Sequence, residues 1–351
     1  MNREKQQTNS SPAVDLLALA EIVERFASKR VVVLGDFVAD YFQYGDITRV
    51  SREAPVLILR HRETRVSPGG GANAANNLIA LGAHVVPVSA VGQDPAGDSL
   101  LKSFRDNNVD VSGVLRVKNR VTPTKTRFLA GWAHTVGQQV LRVDYEPQAL
   151  FSASERKRID QLLLARLKHA DALAISDYGF GVVTPETVRR ATAVKPKIPV
   201  TLDSRYSLSS YKNSGVTAAT PNEAEMEALH HTVIGRDTSE LERCGRGTLK
   251  ALKLSSLVIT RGKDGMALFQ PDAGVTHLTV HGSDQAVDVT GAGDTVLAAY
   301  TLGLASGASA LEAAHIANIA GGLVVMKRGT ATVSGRELLD EIHAAVSGVP
   351  S

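Results

Sequence analysis

The chain has 351 residues, enough for about two average domains or one large α/β domain with an appendage. Apolar residues make up 43% of it and charged residues 21%, which excludes a wholly disordered or collagen-like chain. The net charge is only +3, and the single cysteine, Cys244, excludes an intrachain disulfide and a multi-cysteine zinc site. We expect a globular, cytoplasmic protein that binds no nucleic acid.

Neither the amino terminus nor the longest charge-free stretch has the pattern of a targeting or membrane segment. Residues 1–12 are polar and lack the apolar stretch of a secretory signal, so we expect a disordered lead-in. The longest charge-free stretch, 295–311, is interrupted by Thr, Gly and Ser and falls short of the roughly 20 apolar residues of a membrane helix. No membrane span is predicted.

Apolar, β-branched runs alternate with helical periodicity along most of the chain. The runs cover residues 31–36, 85–92, 172–177, 198–203 and 257–262. The helical patterns cover residues 16–26, 74–81, 94–107, 154–169, 185–194 and 222–230. This alternation predicts an α/β fold with a mainly parallel central sheet between two helical layers, with ligands at the carboxyl ends of the strands. Several runs end there in polar residues: Asp36, Asp177, Asp203 and Thr260.

Two segments depart from this alternation, at about residues 43–66 and 122–146. Both are partly alternating and β-branched, without helical spacing. We predict that they form antiparallel strands outside the main sheet. The remainder of residues 13–345 would then be one domain, covered by a small β-flap that acts as a lid and excludes water.

The sequence DVTGAGD at 288–294 places a glycine-rich turn before a helix whose first turn carries Asp294. Backbone N–H groups of Gly291, Ala292 and Gly293 would form an anion site there, and Asp294 would accept a proton from an attacking hydroxyl. The alternative is an ordinary helix cap, because Thr, Asp and Gly are common at helix starts.

A second glycine-rich turn, SPGGGAN at 67–73, also precedes a helix. Gly69 and Gly70 would let a ligand approach the main chain, and Asn73 offers a donor and an acceptor to hydroxyl groups. Asp36 and Asp40 follow the first strand and suit vicinal sugar hydroxyls, which seek acceptors. Turn and capping roles are the alternatives for all of these residues.

The segment TPNEAEME at 220–227 opens a helix with Asn222 and Glu225 on one face. An amide and a carboxylate so placed could hold the waters around Mg²⁺, or form a capping box. Downstream, Thr260 and Gly262 would border a nucleotide base or shape a hairpin.

Two common nucleotide-binding motifs are absent from the sequence. No GxxxxGK[ST] loop occurs, which excludes a P-loop kinase, and no GxGxxG follows the first strand, which weakens the case for a dinucleotide-dependent dehydrogenase.

Taken in this order, GGGAN, NEAE and DVTGAGD resemble the PfkB/ribokinase family of carbohydrate kinases, and the similarity extends from about residue 31 to residue 334. Within that family the chain is most similar to D-glycero-β-D-manno-heptose-7-phosphate kinases, through residues 35–56, 175–181, 202–212 and 328–334. The resemblance implies a ribokinase-like fold. It also implies transfer of the γ-phosphoryl group of ATP to the anomeric hydroxyl of heptose 7-phosphate, in lipopolysaccharide core synthesis.

The resemblance also assigns roles to individual residues. Asp294 would be the catalytic base beside an anion hole of Gly291, Ala292 and Gly293. The sugar-contacting positions would be Asp36, Asp40, Gly69, Gly70 and Asn73. Positions for phosphate and for the Mg²⁺ water shell would be Asn222 and Glu225, and the nucleotide pocket would be lined by Thr260, Gly262, Gly265 and Asn318. By family analogy we further expect a homodimer through the lid and a monovalent cation such as K⁺ near residues 284–289.

Two positions depart from the heptose kinase pattern. Phe180 stands in DYGFG where those kinases carry Lys. Loss of this cation near the phosphates would weaken ATP affinity or change the sugar accepted, unless Arg205, which replaces the Lys of their DPK string, offsets it. Arg52 replaces the Pro of SPEAP. Arg49 and Arg52 would contact a terminal sugar phosphate, or would be ordinary surface arginines without a specific role.

Two further alternatives stay open at this point. One is a PfkB kinase for another sugar or sugar phosphate, such as ribose or fructose, and the other is a sugar-binding regulatory module without catalysis. Bifunctional heptose kinases carry a nucleotidyltransferase domain after the kinase portion. Since this chain ends shortly after that portion, we expect the kinase step alone.

Overall fold

The computed structural model describes residues 14–131, 138–283 and 285–347, so the predicted lead-in at 1–12 lies outside the described residues. The helices are α1 (Leu16–Glu24), α2 (Gly71–Ala80), α3 (Pro95–Asp106), α4 (Ala153–Leu167), α5 (Pro185–Val194), α6 (Glu223–His230), α7 (Thr238–Leu252), α8 (Ala292–Ala305), α9 (Ala310–Val324) and α10 (Gly335–Ser347). The main-sheet strands are β1 (Arg30–Gly35), β4 (His84–Gly92), β5 (Val114–Val117), β8 (Ala172–Asp177), β9 (Val200–Ser204), β10 (Ala218–Ala219), β11 (Ser256–Thr260), β12 (Met266–Phe269) and β13 (Thr276–Leu278). The lid strands are β2 (Phe37–Val50), β3 (Leu57–Gly70), β6 (Thr124–Gly131) and β7 (Gln138–Tyr145).

The main sheet has the order β13-β12-β11-β10-β9-β8-β1-β4-β5. All neighbours from β11 to β5 pair in parallel, and β12 and β13 add an antiparallel edge. The chain runs outward from β1 through β4 to β5 and then returns to β8 on the other side of β1. This reversal places a crevice at the carboxyl ends of β1 and β8, where doubly wound sheets bind ligands.

The sheet separates two hydrophobic cores. Along β1, Val31 and Val33 face one core, while Val32 and Leu34 face the other, and all four are fully buried. The first core packs against α1, α2, α8, α9 and α10, and the second against α4, α5 and α7. Burial on both faces explains why β1 has a continuous apolar sequence rather than an alternating one. The predicted three-layer α/β/α architecture is confirmed.

The second sheet has the order β3-β2-β6-β7, and it differs from the expected flap in two ways. Its hairpins β2–β3 and β6–β7 are antiparallel as predicted, but β2 and β6 pair in parallel. Its strands also reach further, since β2 begins at Phe37 and β3 ends at Gly70. The lid therefore continues directly from the glycine-rich turn and from the end of β1.

Several elements were not predicted, among them α7, α9, α10 and the edge strands β5 and β13. The two-residue β10 lies between β9 and β11 and pairs with both in parallel. Within the described ranges, the helices all fall short of the length and apolarity needed to cross a bilayer.

Candidate active site

The glycine-rich turn at 290–293 leads into α8, with Asp294 in its first turn. Gly291 caps the helix with a φ of +82°, and a Cβ there would lie 2.7 Å from the side-chain nitrogen of Asn73, so only glycine fits. The Ala292 N–H donates to the carbonyl of Val289 at 3.2 Å, whereas the N–H groups of Gly291 and Gly293 donate to no described residue. The predicted anion hole of three amides thus has two open donors.

The carboxylate of Asp294 lies at the wall of the adjoining cleft and is held by side chains from other elements. Asn73 of α2 donates from Nδ2 to Asp294 Oδ2 at 2.7 Å, and the Tyr178 hydroxyl lies 3.5 Å from Oδ1. Asn77 donates to the carbonyl of Asn73, and Thr295 donates to Asn77 Oδ1 at 2.7 Å. This network orients Asn73 toward the carboxylate. Asn77, Tyr178 and Thr295 were not predicted.

Asp294 is 4% exposed, and burial raises the pKa of its carboxyl to about 7. The hydrogen bond from Asn73 opposes this rise, the charge of Asp40 adds to it, and the charge of Lys125 opposes it. A carboxylate with a pKa near the working pH can hold a proton that arrives during a reaction, which an ordinary surface aspartate does poorly. Burial also raises the pKa of the Tyr178 phenol well above its usual value.

A narrow cavity of about 170 Å³ lies beside the start of α8. It is lined by the four residues predicted for the nucleotide pocket: Thr260, Gly262, Gly265 and Asn318. Gly265 has a φ of +76°, and a Cβ there would lie 2.0 Å from the Leu278 carbonyl, so the hairpin between β11 and β12 requires glycine at this position. Asn318 Nδ2 donates to the Thr279 carbonyl at 2.7 Å. Of the loop predicted to hold a monovalent cation, Asp284 lies outside the described residues.

A second cavity of about 380 Å³ shares Thr260 and Gly293 with the first and reaches Asp294. Asn222 and Glu225 line it, and they also form a capping box in which each side chain accepts the other residue's N–H at 2.9 Å. The capping alternative is therefore realised, and it leaves Glu225 Oε1 without a described hydrogen bond.

Asp203, at the carboxyl side of β9, lines the same cavity as Glu225. Burial, and then the charge of Glu225, raises the pKa of Asp203 well above its usual value, and burial raises the pKa of Glu225 as well. Thr220 Oγ1, also on this wall, is buried without a hydrogen-bond partner among the described residues. Two desolvated carboxylates and an unpartnered hydroxyl are oxygen donors of the kind that a hydrated Mg²⁺ accepts, directly or through water.

The profile of the pfkB family of carbohydrate kinases matches residues 28–335. The chain belongs to the pfkB family of carbohydrate kinases. It is 41% identical over 310 residues to the bifunctional protein HldE of Geobacter metallireducens, covering 88% of this chain and 62% of that one. It is 36% identical over 326 residues to HldE of Mesorhizobium japonicum, covering 91% of this chain and 63% of that one. The chain thus spans somewhat less than two thirds of the length of these curated relatives.

Solved structures of the same fold include two sugar kinases. Ribokinase of Arabidopsis thaliana, solved with ribose and ATP, has a TM-score of 0.70 and 20% identity, covering 90% of this chain and 98% of that one. Phosphofructokinase-2 of Escherichia coli, solved with fructose-6-phosphate, has a TM-score of 0.70 and 21% identity, with 91% and 99% covered. These likenesses show the ribokinase-like fold.

In this pfkB chain, Asp36 contacts a loop instead of facing a cavity. Its Oδ2 accepts the N–H groups of Tyr178 and Phe180, both at 3.0 Å, and its Oδ1 accepts the Val182 N–H at 2.9 Å. Asp36 is 1% exposed, and burial raises its pKa to about 6 against these hydrogen bonds. Both oxygens are thereby engaged, which differs from the predicted contact with a sugar hydroxyl.

The other side of this loop, residues 178–182, is held by two arginines. Arg120 donates to the Phe180 carbonyl, and Arg156 donates to the carbonyls of Gly181 and Val182. Both guanidinium groups lie over the ring of Phe151, at 3.8 and 5.2 Å from its centroid. The loop is therefore fixed on both its amide and its carbonyl side. No local sequence pattern predicted that Arg120 and Arg156 hold this loop, because both lie dozens of residues away from it in the chain.

Asp40 and the glycines of β3 lie at the base of the lid. Asp40 pairs with Arg127 of β6 at 2.7 Å, and a Cβ on Gly69 would lie 2.5 Å from Asp40 Oδ2. Gly70 has a φ of +55°, where a side chain would be strained. Arg49 lies nine residues beyond Asp40 on the same strand, roughly 30 Å away, and is exposed. Within one subunit it does not reach a ligand that Asp40 holds, so the expected substrate contact of Arg49 stays a prediction.

Proposed function

We propose that this pfkB chain transfers the γ-phosphoryl group of ATP to a sugar hydroxyl, with Asp294 as the catalytic base. The observation that carries the proposal is the carboxylate of Asp294, held by Asn73 beside the open amides of Gly291 and Gly293. A bond forms between the sugar oxygen and phosphorus, the bond to the ADP oxygen breaks, and the sugar proton passes to Asp294. The two amides donate to the charge on the moving group.

The two cavities beside α8 divide the nucleotide between them in this proposal. The narrow cavity at Thr260, Gly265 and Asn318 would hold the base and ribose, and the wider one would hold the phosphates. Asp203 and Glu225 would hold Mg²⁺ through its waters, and Thr220 would offer its unpartnered hydroxyl. When bound, the cation neutralises charge on the phosphates.

For the acceptor we propose D-glycero-D-manno-heptose 7-phosphate, phosphorylated at its anomeric hydroxyl. Support comes from the resemblance of residues 35–56, 175–181 and 202–212 to heptose kinases, and from the HldE relatives at 35–41% identity. Phe180 in place of the usual Lys keeps another sugar or sugar phosphate open as the second candidate.

The test is a phosphotransfer assay with Mg-ATP and a panel of acceptors: heptose 7-phosphate, heptose, fructose 6-phosphate, fructose and ribose. We expect ADP formation that depends on heptose 7-phosphate, with kcat/KM at least about 10²-fold above that of the other sugars. A higher kcat/KM for another acceptor would replace heptose 7-phosphate and leave the kinase assignment intact. If no sugar stimulated ADP formation, the non-catalytic sugar-binding module would be favoured.

Replacing Asp203 by asparagine should raise the Mg²⁺ concentration required for half-maximal activity by about 10- to 100-fold, the usual range for groups that orient a metal's ligands. Titrating Mg²⁺ at saturating ATP measures this value. The matched control is Asp272→Asn, an exposed turn residue that should leave it unchanged. An unchanged Mg²⁺ requirement in Asp203→Asn would remove this residue from the proposed cation site.

We also propose that two copies associate through their lids. Large apolar side chains are exposed on the lid strands and the connection before β3: Val50, Val56, Leu57, Val66, Val140, Leu141 and Tyr145. Exposed apolar surface of this kind is typical of an interface. Light scattering after size exclusion should give a dimer mass, and Leu141→Lys should shift it toward the monomer. A monomer mass for the unmodified chain would contradict the proposal.

A further inference from the structure

A third cavity, of about 410 Å³, lies between the lid and the loop at 178–182. Its charged lining consists of Lys125 on β6, Arg142 and Asp144 on β7, Glu146 just after β7, and Arg205 just after β9. The three cations come from two different parts of the fold, the lid and the main domain. Except for Arg205, none of these residues was selected from the sequence.

Two of the three cations have no carboxylate within ion-pair distance among the described residues. Arg142 pairs with Asp144, with nitrogen–oxygen distances of 2.5 and 2.8 Å. Lys125 and Arg205 make no ion pair with any residue that the structure describes. Lys125 lies over the ring of Tyr178, 4.8 Å from its centroid, and burial lowers the pKa of its ammonium group. The charges of Arg205, Arg142 and Arg127 lower it further, while the charge of Asp40 opposes them. The lining as a whole has three cations and two carboxylates, Asp144 and Glu146, and Arg142 already engages Asp144. Lys125 and Arg205 are therefore the cations available to a bound anion.

This cavity adjoins the cleft at the catalytic base. Tyr178 and Arg205 line both the 410 Å³ cavity and the cavity that contains Asp294. Asp40 of β2 is the register partner of Lys125 on β6, so the two side chains leave the lid sheet side by side. An acceptor with its reacting hydroxyl at Asp294 would therefore extend past Tyr178 toward Lys125.

We propose that Lys125 and Arg205, assisted by Arg142, bind a phosphate group at the end of the acceptor remote from the reacting hydroxyl, and so select phosphorylated sugars over free ones. This proposal rests on the proposed function and identifies the residues that set its substrate class.

A phosphate monoester fits this cavity better than a carboxylate does. Its three terminal oxygens accept hydrogen bonds from separate donors, so Lys125 and Arg205, which come from different parts of the fold, can both donate to it. A sugar acid has a carboxylate with only two oxygens for the same donors. Arg49, which the sequence favoured for this role, lies at the far end of β2 and does not line the cavity.

The experiment compares Lys125→Met, which keeps an unbranched side chain as far as the ε position and removes the charged amine, with Lys125→Arg, which retains the charge. Steady-state kinetics are measured on heptose 7-phosphate and heptose, on fructose 6-phosphate and fructose, and on gluconate as a sugar acid. Calorimetry measures binding of heptose 7-phosphate and of inorganic phosphate without turnover. The control is Arg60→Met, which removes an exposed lid arginine without a described ion pair.

In Lys125→Met we expect the KM and the Kd for the phosphorylated acceptor to rise about 10- to 100-fold, as for loss of a charge-assisted hydrogen bond. The KM for the free sugar should change less than about 3-fold, and Lys125→Arg should restore much of the affinity. Arg60→Met should behave like the unmodified chain.

Three results would overturn the proposal. One is an unchanged preference for the phosphorylated over the free sugar in Lys125→Met, and another is an equal fall of kcat on both, which would place Lys125 in the transfer step. The third is gluconate binding more tightly than the sugar phosphates. If the unmodified chain bound sugar phosphate through Lys125 but transferred no phosphoryl group, the proposed function would fail while this inference stood.

Discussion

Asp294→Asn should lower kcat by at least about 10²-fold, the usual contribution of a general base. The amide cannot take up the proton of the attacking hydroxyl, but it can still accept the hydrogen bond that Asn73 donates, so the site should keep its shape. ADP formation with the best acceptor of the panel measures the loss. Asp272→Asn serves as the matched control, and near-normal turnover in Asp294→Asn would contradict the role of Asp294.

The same substitution should stabilise the fold, in a way that depends on pH. The pKa of Asp294 is about 7 in the folded chain and about 3.8 in the unfolded chain. The unfolded chain therefore ionises first, and the free energy of unfolding falls as pH rises from about 4 to about 7. Asparagine removes this loss. The free energy of unfolding of Asp294→Asn should therefore exceed that of the unmodified chain by up to about 4 kcal/mol at pH 8 and by little at pH 4.

Urea unfolding of both proteins at pH 5 and pH 8 measures this difference. The activity of the unmodified chain should show the matching profile, with kcat/KM falling below about pH 7 as the free base becomes protonated. A stability difference that did not grow with pH would mean that Asp294 is not held in a desolvated environment.

Asp36→Ala should lower the free energy of unfolding by about 3 kcal/mol and raise the KM of the acceptor. It leaves the N–H groups of Tyr178, Phe180 and Val182 without their acceptor, and a buried unpaired donor costs roughly 1–3 kcal/mol, with water offsetting part of this. The acceptor should bind more weakly because Tyr178 and Phe180 line the 410 Å³ cavity. Urea unfolding and acceptor kinetics are the two measurements.

Two comparisons distinguish a role of Asp36 in holding the loop at 178–182 from a direct contact with the sugar. Asp36→Asn keeps one acceptor oxygen and should lose less stability than Asp36→Ala. A sugar-contacting aspartate that faced a cavity would instead raise KM with little effect on unfolding. A rise in KM with little effect on unfolding would show that the three hydrogen bonds to the loop contribute little to the free energy of unfolding. It would support the sugar contact of Asp36 predicted from the sequence.

The strands and helices that were predicted are those whose residues form a recognisable local pattern in the sequence. The apolar runs at 31–36, 85–92 and 172–177 match β1, β4 and β8 to within a residue or two, because strands buried on both faces consist mainly of apolar residues. Helices α5 and α6 matched equally well, since capping residues mark their starts. The parallel pairing of β2 with β6 was not predicted, because it joins segments some 80 residues apart and leaves no local signal.

Local sequence pattern was sufficient to predict most strands of the main sheet and the glycine-rich start of α8, where Gly291 has a φ of +82° and no room for a Cβ. Asp36 and Asp40 looked equivalent after β1, and tertiary structure alone separated them: one carboxylate accepts three amides of a loop about 140 residues later, and the other pairs with Arg127 of the lid. Likewise, Lys125 and Arg205 become one cationic wall only when the lid lies over the main sheet. Charge and hydrogen bonding act through space, so the role of a polar side chain depends on partners that the folded chain brings to it.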